Sequence, residues 1–165
     1  MRALRHILLG AALAATVAPA SGQVRPTSLT LVPDVSLPVP ALADGDSSTG
    51  IVRINPMLLG RLDPRLALFV VLREQARGQL DREVRAAVSH QANGMQFGLD
   101  ELIELSLQAD CMAARRLAER APQTLAAVAS YYASLDDEED GGPSNATRAK
   151  RLTACGEKAW QGHAS

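Results

Sequence analysis

The sequence predicts an α+β domain, mainly α, in which short N-terminal strands precede about four helices. Three observations point there. Apolar residues recur at helical spacing through the second half of the chain, and β-branched alternation is confined to a short run before Pro56. The chain has 165 residues, 47% hydrophobic and 21% charged, which fits one globular domain with tails and not a disordered polymer.

The elements follow in order. Met1 to His6 carry Arg2 and Arg5 and no acid, then an apolar run from Ile7 to Val17 leads to Ala18-Pro19-Ala20. That is the pattern of a secretory signal over residues 1–22, cleaved after Ala20 or Gly22. The competing reading, a membrane anchor, needs about 20 apolar residues. Residues 23–49 are rich in Pro, Ser and Asp and read as an extended arm, with one strand at Ser28–Val32. Residues 50–160 form the domain proper and 161–165 a tail. Gly50–Asn55 reads as a strand stopped by Pro56.

Asp63-Pro64 opens the first long helix, with Asp as N-cap and Pro at the first helical position. Leu66–Leu72 is apolar on every side, the mark of a buried helix. After an Asn93-Gly94 loop, Asp100 is placed to cap a second helix over Glu101–Glu119. Pro122 starts a third, through Leu135. The acidic run Asp136–Asp140 reads as a solvated loop. Ser144 or Asn145 caps a last helix carrying Ala149, Leu152 and Cys155. The Asn145-Ala146-Thr147 sequon carries no expectation behind a bacterial-type signal.

Composition excludes several functions. Seventeen Lys and Arg against 18 Asp and Glu give a net charge of -1, with no general pull toward nucleic acid or anionic lipid. Removing the leader takes away Arg2 and Arg5, leaving 15 basic and 18 acidic groups. Aromatics are 3% of residues, too few for base-stacking platforms. Two cysteines rule out a four-cysteine zinc module. In an exported chain Cys111 and Cys155 read most simply as one disulfide. Cys111 as a nucleophile is the alternative, and no histidine lies at helical spacing from it.

The informative anomaly is Arg73-Glu74-Gln75-Ala76-Arg77 inside the first helix. Arg73 and Arg77 fall one turn apart on the stripe of Leu66, Phe69, Val70 and Leu80. Arginines on a buried face are costly unless paired. Otherwise the stripe rotates and both heads reach water.

Three segments resemble a known family. They are Ile51-Val52-Arg53-Ile54-Asn55-Pro56, Leu68-Phe69-Val70-Val71-Leu72 and Leu107-Gln108-Ala109-Asp110-Cys111-Met112-Ala113-Ala114. They look like gluzincin zinc metallopeptidases of the HtpX-like group, and Ala149-x-x-Leu152-x-x-Cys155 is similar to the last helix of the small exported members. The resemblance covers residues 50–156 and implies a zincin-like metallopeptidase fold. In that family the first helix bears His-Glu-x-x-His. The second bears a ligand Glu four residues before the Asp of an Ala-Asp motif. The histidines hold zinc from one helix face, and the Glu of the first helix is the general base for a zinc-bound water.

Here each ligand position is changed. Arg73 and Arg77 stand where the histidines are expected, and Ser106 where the ligand Glu is expected. Glu74 alone survives of the catalytic set. A guanidinium has no lone pair to donate, so neither arginine ligates zinc. His90 and His163 are the histidines left after the leader, one at a helix end and one in the tail. The expectation is therefore no cofactor and no metal. Arg73 and Arg77 are expected to supply the positive charge in the metal's place, paired with Asp110 and with Glu74, Glu101 or Glu104.

Three functions remain in play: an exported, non-catalytic pseudoenzyme that binds an extended peptide or envelope protein by strand addition, an active metallopeptidase with relocated ligands such as Glu74 with His90, and a small helical envelope protein. All three place the mature chain in the periplasm or outside the cell, with no membrane attachment after signal cleavage and no nucleic acid partner. Trp160, Tyr131 and Tyr132 read as packing or surface aromatics.

Overall fold

The computed structural model describes residues 29–44, 50–88, 98–136 and 143–161. Three strands, β1 (Thr30–Pro33), β2 (Ala41–Ala43) and β3 (Ile51–Ile54), precede five helices. These are α1 (Pro56–Leu59), α2 (Pro64–Val88), α3 (Leu99–Arg120), α4 (Pro122–Ala133) and α5 (Asn145–Gln161). The protein is α+β and mainly helical, as its periodicity predicts. Signal residues 1–22, His90, His163 and acids 137–140 lie outside the described residues.

β3 is the central strand of the sheet, with β1 parallel on one side and β2 antiparallel on the other. Two of the three strands thus come from the segment read as an arm. β1 begins two residues later than the β-branched pattern suggests. β2 carries no β-branched residue, so nothing local announces it; β3 recruits it by backbone pairing. Gly50 enters β3 at φ 67°, a left-handed conformation that favours glycine.

Val52 is fully buried and packs with Ala41 and with Val71 of α2, fixing the sheet on that helix. Asn55 secures the exit from β3. Its side-chain oxygen accepts from the amides of Met57 and Leu58 at 3.0 and 3.3 Å. Its amide nitrogen donates to the carbonyls of Val35 and Leu37 at 3.2 and 2.8 Å. Pro56 therefore starts the one-turn helix α1 as well as ending the strand.

The main core joins α2, α3, α4 and α5 around Phe69, Leu117, Val128 and Leu152. Leu68, by contrast, is 44% exposed, so α2 is not buried on every side there. Its outer turn faces neither the sheet nor the helices. α3 begins two residues earlier than Asp100 implies: Gly98 is the N-cap, and the Glu101 carboxylate accepts from the Gly98 amide. α4 stops at Ala133, where the Ser134 hydroxyl donates to the Tyr131 carbonyl at 2.7 Å. At the start of α5 the Ser144 hydroxyl accepts from the Thr147 amide at 3.1 Å, so Ser144, not Asn145, is the cap.

Cys111 of α3 and Cys155 of α5 form a disulfide, with Cα atoms 5.4 Å apart and a sequence separation of 44. It binds the last helix to the core beside Asp110.

Candidate functional site

α2 lies between the sheet and α3, and two rows of its side chains serve those two neighbours. Phe69, Arg73, Ala76 and Leu80, spaced four, three and four, run along one side. Ala76 and Leu80 pack there with Ala109 of α3. Toward the sheet, Val71 packs with Val52. Further along, a Cβ on Gly78 would lie 3.0 Å from the Cβ of Ala43, so glycine at 78 lets β2 approach α2 closely. That approach brings the Ala43 amide to Oε2 of Glu74, at 3.3 Å.

The seam spacing places Arg73 inside, facing Ser106 and Asp110, which lie one turn apart on α3. Each of its three guanidinium nitrogens reaches a different residue. Nε donates to Oδ1 of Asp110 at 2.7 Å, Nη2 to Oγ of Ser106 at 2.9 Å and Nη1 to Oε1 of Glu74 at 3.3 Å. Asp110 is 0% exposed and Glu74 4%. From α5, Arg148 completes the cluster, with Nη1 3.7 Å from Oδ2 of Asp110 and Nη2 donating to Oγ of Ser106 at 3.4 Å. The Arg148 guanidinium also lies over the Tyr132 ring, 5.6 Å from its centroid, a cation–π contact. Tyr132 in turn meets Phe69 edge-on. Burial pushes the Tyr132 phenol up from its ordinary value, with Arg148 and Arg73 opposing the shift and Asp110 adding to it.

Two guanidinium groups thus face two carboxylates. The pairing cancels their charge inside the protein and joins α2, α3 and α5 at one point. Arg73, Glu74, Ser106 and Asp110, singled out from three separate sequence positions, meet there.

Arg77 does not join them. It is exposed, and among the described residues no ion pair or hydrogen bond engages it. The physical reason is the seam: the step from 73 to 76 turns position 77 away from α3. Glu101 and Glu104 are also elsewhere, Glu101 at the start of α3 and Glu104 paired with Arg151 at 3.0 Å on the surface. Cys111 is oxidised in the disulfide, so it is no nucleophile.

Sequence reasoning missed Arg148 and Tyr132. For Arg148 a signal existed. It falls four and seven residues before Leu152 and Cys155, on the apolar side of α5, the same anomaly that Arg73 shows on α2. Tyr132 carries no such signal, since one tyrosine beside another on a surface helix is unremarkable.

The residues at the expected ligand positions do not fit a zinc ion. Arg73 has no lone pair, and its guanidinium fills the space between the helices, engaging one oxygen of Glu74 and one of Asp110. Among the described residues no group of three or more His, Cys, Asp or Glu side chains could hold a metal ion. No helix among them is long and apolar enough to cross a membrane. No protein-family model, curated protein or solved structure matches the chain.

Proposed function

We propose that this is an exported, metallopeptidase-like protein of zincin-like ancestry that has lost its zinc ligands and works as a non-catalytic pseudoenzyme. The observation that supports this is the convergence of Arg73 with Glu74, Ser106 and Asp110. In the resembled family these are a ligand histidine, the general base, the ligand glutamate and the Asp of the Ala-Asp motif. A fixed guanidinium between the two helices supplies the positive charge that a divalent cation would bring. Glu74 is the surviving catalytic position, but both its oxygens are engaged, by Arg73 and by the Ala43 amide. Each oxygen thus already accepts one donor, which draws charge from the carboxylate and makes it a weaker base toward water.

The remaining role is binding or structural, in the periplasm or outside the cell. An extended peptide or an envelope protein is the partner class. The Ala43 amide of β2 is taken by Glu74, and among the described residues no strand pairs with the outer side of β1, the edge we assign to strand addition.

The test is metal analysis of the purified protein together with a peptide-cleavage assay. The expected result is no stoichiometric zinc and no chelator-sensitive cleavage; finding both would establish the alternative, an active metallopeptidase with relocated ligands. A pull-down from the same compartment, expected to capture an envelope protein or peptide, separates a binding role from a purely structural one.

A further inference from the structure

The outer side of the α4–α5 pair is a furrow floored by small residues. Two adjoining hollows of about 460 and 250 Å³ share Ala129, Thr153 and Glu157 in their walls. Lys150 stands at one end of the exposed α5 ridge and Glu157 two turns further on, about 10 Å away along the axis. Among the described residues neither charge is in an ion pair. Midway between them lie Thr153 and Ala154, both exposed and both small.

This arrangement is self-complementary. A second α5 laid antiparallel across the first, on a two-fold axis between Thr153 and Ala154, brings each Lys150 beside the Glu157 of the other copy. The same operation fits the Ala154 ridge of one copy into the furrow of the other, where small side chains permit close helix approach. An isologous interface requires that residue i meet j and j meet i, and the Lys150–Glu157 spacing about that centre satisfies it. A parallel arrangement would set like charges against each other at both ends.

We propose that the α4–α5 face is the interface of a homodimer, with a second copy of this chain as its occupant and two reciprocal Lys150–Glu157 pairs fixing its direction. The proposal is independent of the metallopeptidase reading, because none of its residues belongs to the Arg73 cluster.

Sedimentation equilibrium on the purified, disulfide-bonded protein tests it. The wild type is expected to dimerise in the micromolar range. Lys150→Glu and Glu157→Lys are each expected to weaken the dimer about tenfold or more by facing like charges across the interface. The double variant with both charges exchanged is expected to recover wild-type association. Both side chains are exposed, so circular dichroism should report an unchanged fold in all three. A wild type that stays monomeric throughout the micromolar range overturns the proposal. So do single reversals that leave association unchanged, or a double variant no better than the singles.

Discussion

Nε of Arg73 donates to Oδ1 of Asp110 across 2.7 Å, from one helix to a fully buried carboxylate on the next. A carboxylate with no solvent access is tolerated in a fold only when cations and donors surround it. Arg73 from α2 and Arg148 from α5 do so from two sides. The cluster is therefore a joint between helices whose strength depends on each member, and removing them singly gives graded outcomes.

Arg73→Lys should not behave as a conservative change. Three guanidinium nitrogens reach three different residues, and an ammonium on a flexible stem cannot reproduce that fork. The expected loss is about 1–3 kcal/mol of unfolding free energy in urea titrations, because a donor to at least one buried oxygen disappears. A lysine variant as stable as wild type would show that charge alone suffices.

Arg148 and Arg77 form a contrast. Arg148→Met removes the second cation near Asp110 and is expected to cost about 2 kcal/mol, less than the loss of Arg73, since its approach is 3.7 Å. Arg77→Ala, at an exposed position, should stay within about 0.5 kcal/mol of wild type. Equal losses at both positions would mean that the seam does not separate them.

The Tyr132 phenol links the cluster to alkaline stability. Burial raises its folded pKa, so the unfolded chain loses that proton at lower pH than the folded one. Its contribution is fully present below pH of about 10, the unfolded value, and is lost as pH rises through the higher folded value. Tyr132→Phe should therefore flatten the fall of melting temperature above pH of about 10, while wild type declines there. Parallel alkaline limbs would contradict the burial of this phenol.

Thiol titration of the oxidised protein under denaturing conditions should find no free cysteine. Because Cys111 and Cys155 have a sequence separation of 44, opening the bond with Cys111→Ala and Cys155→Ala is expected to cost about 3–4 kcal/mol. Reactive thiol in the oxidised sample would overturn the pairing.

Much of this was legible in the sequence, for identifiable reasons. Asp63-Pro64 and Pro122 mark helix starts because capping and a missing amide act locally. Arg73 was legible because a charge on an apolar stripe demands a partner, whereas Asp110 was singled out only through the resemblance, as the Asp of an Ala-Asp motif. Arg77 was misplaced because a 3.6-residue period cannot distinguish positions 76 and 77 at the edge of a stripe; the four-three-four seam with α3 decides that, and it is tertiary. β2 was invisible because its pairing with β3 comes from Ala41 to Ala43, whose own preferences are weak. Arg148 lies in the first turns of α5, where a single arginine reads equally well as a solvated one, and only the packing of α5 on α3 turns it inward.

The most direct test of the central claim, that Arg73 holds the place between α2 and α3 as a structural cation, is the urea denaturation midpoint of Arg73→Met. Leaving Asp110 and Glu74 buried without their principal partner should cost about 3–5 kcal/mol and move the midpoint sharply down. A midpoint indistinguishable from wild type would show that Arg73 is dispensable there, and the account of a guanidinium standing in for a metal would be wrong.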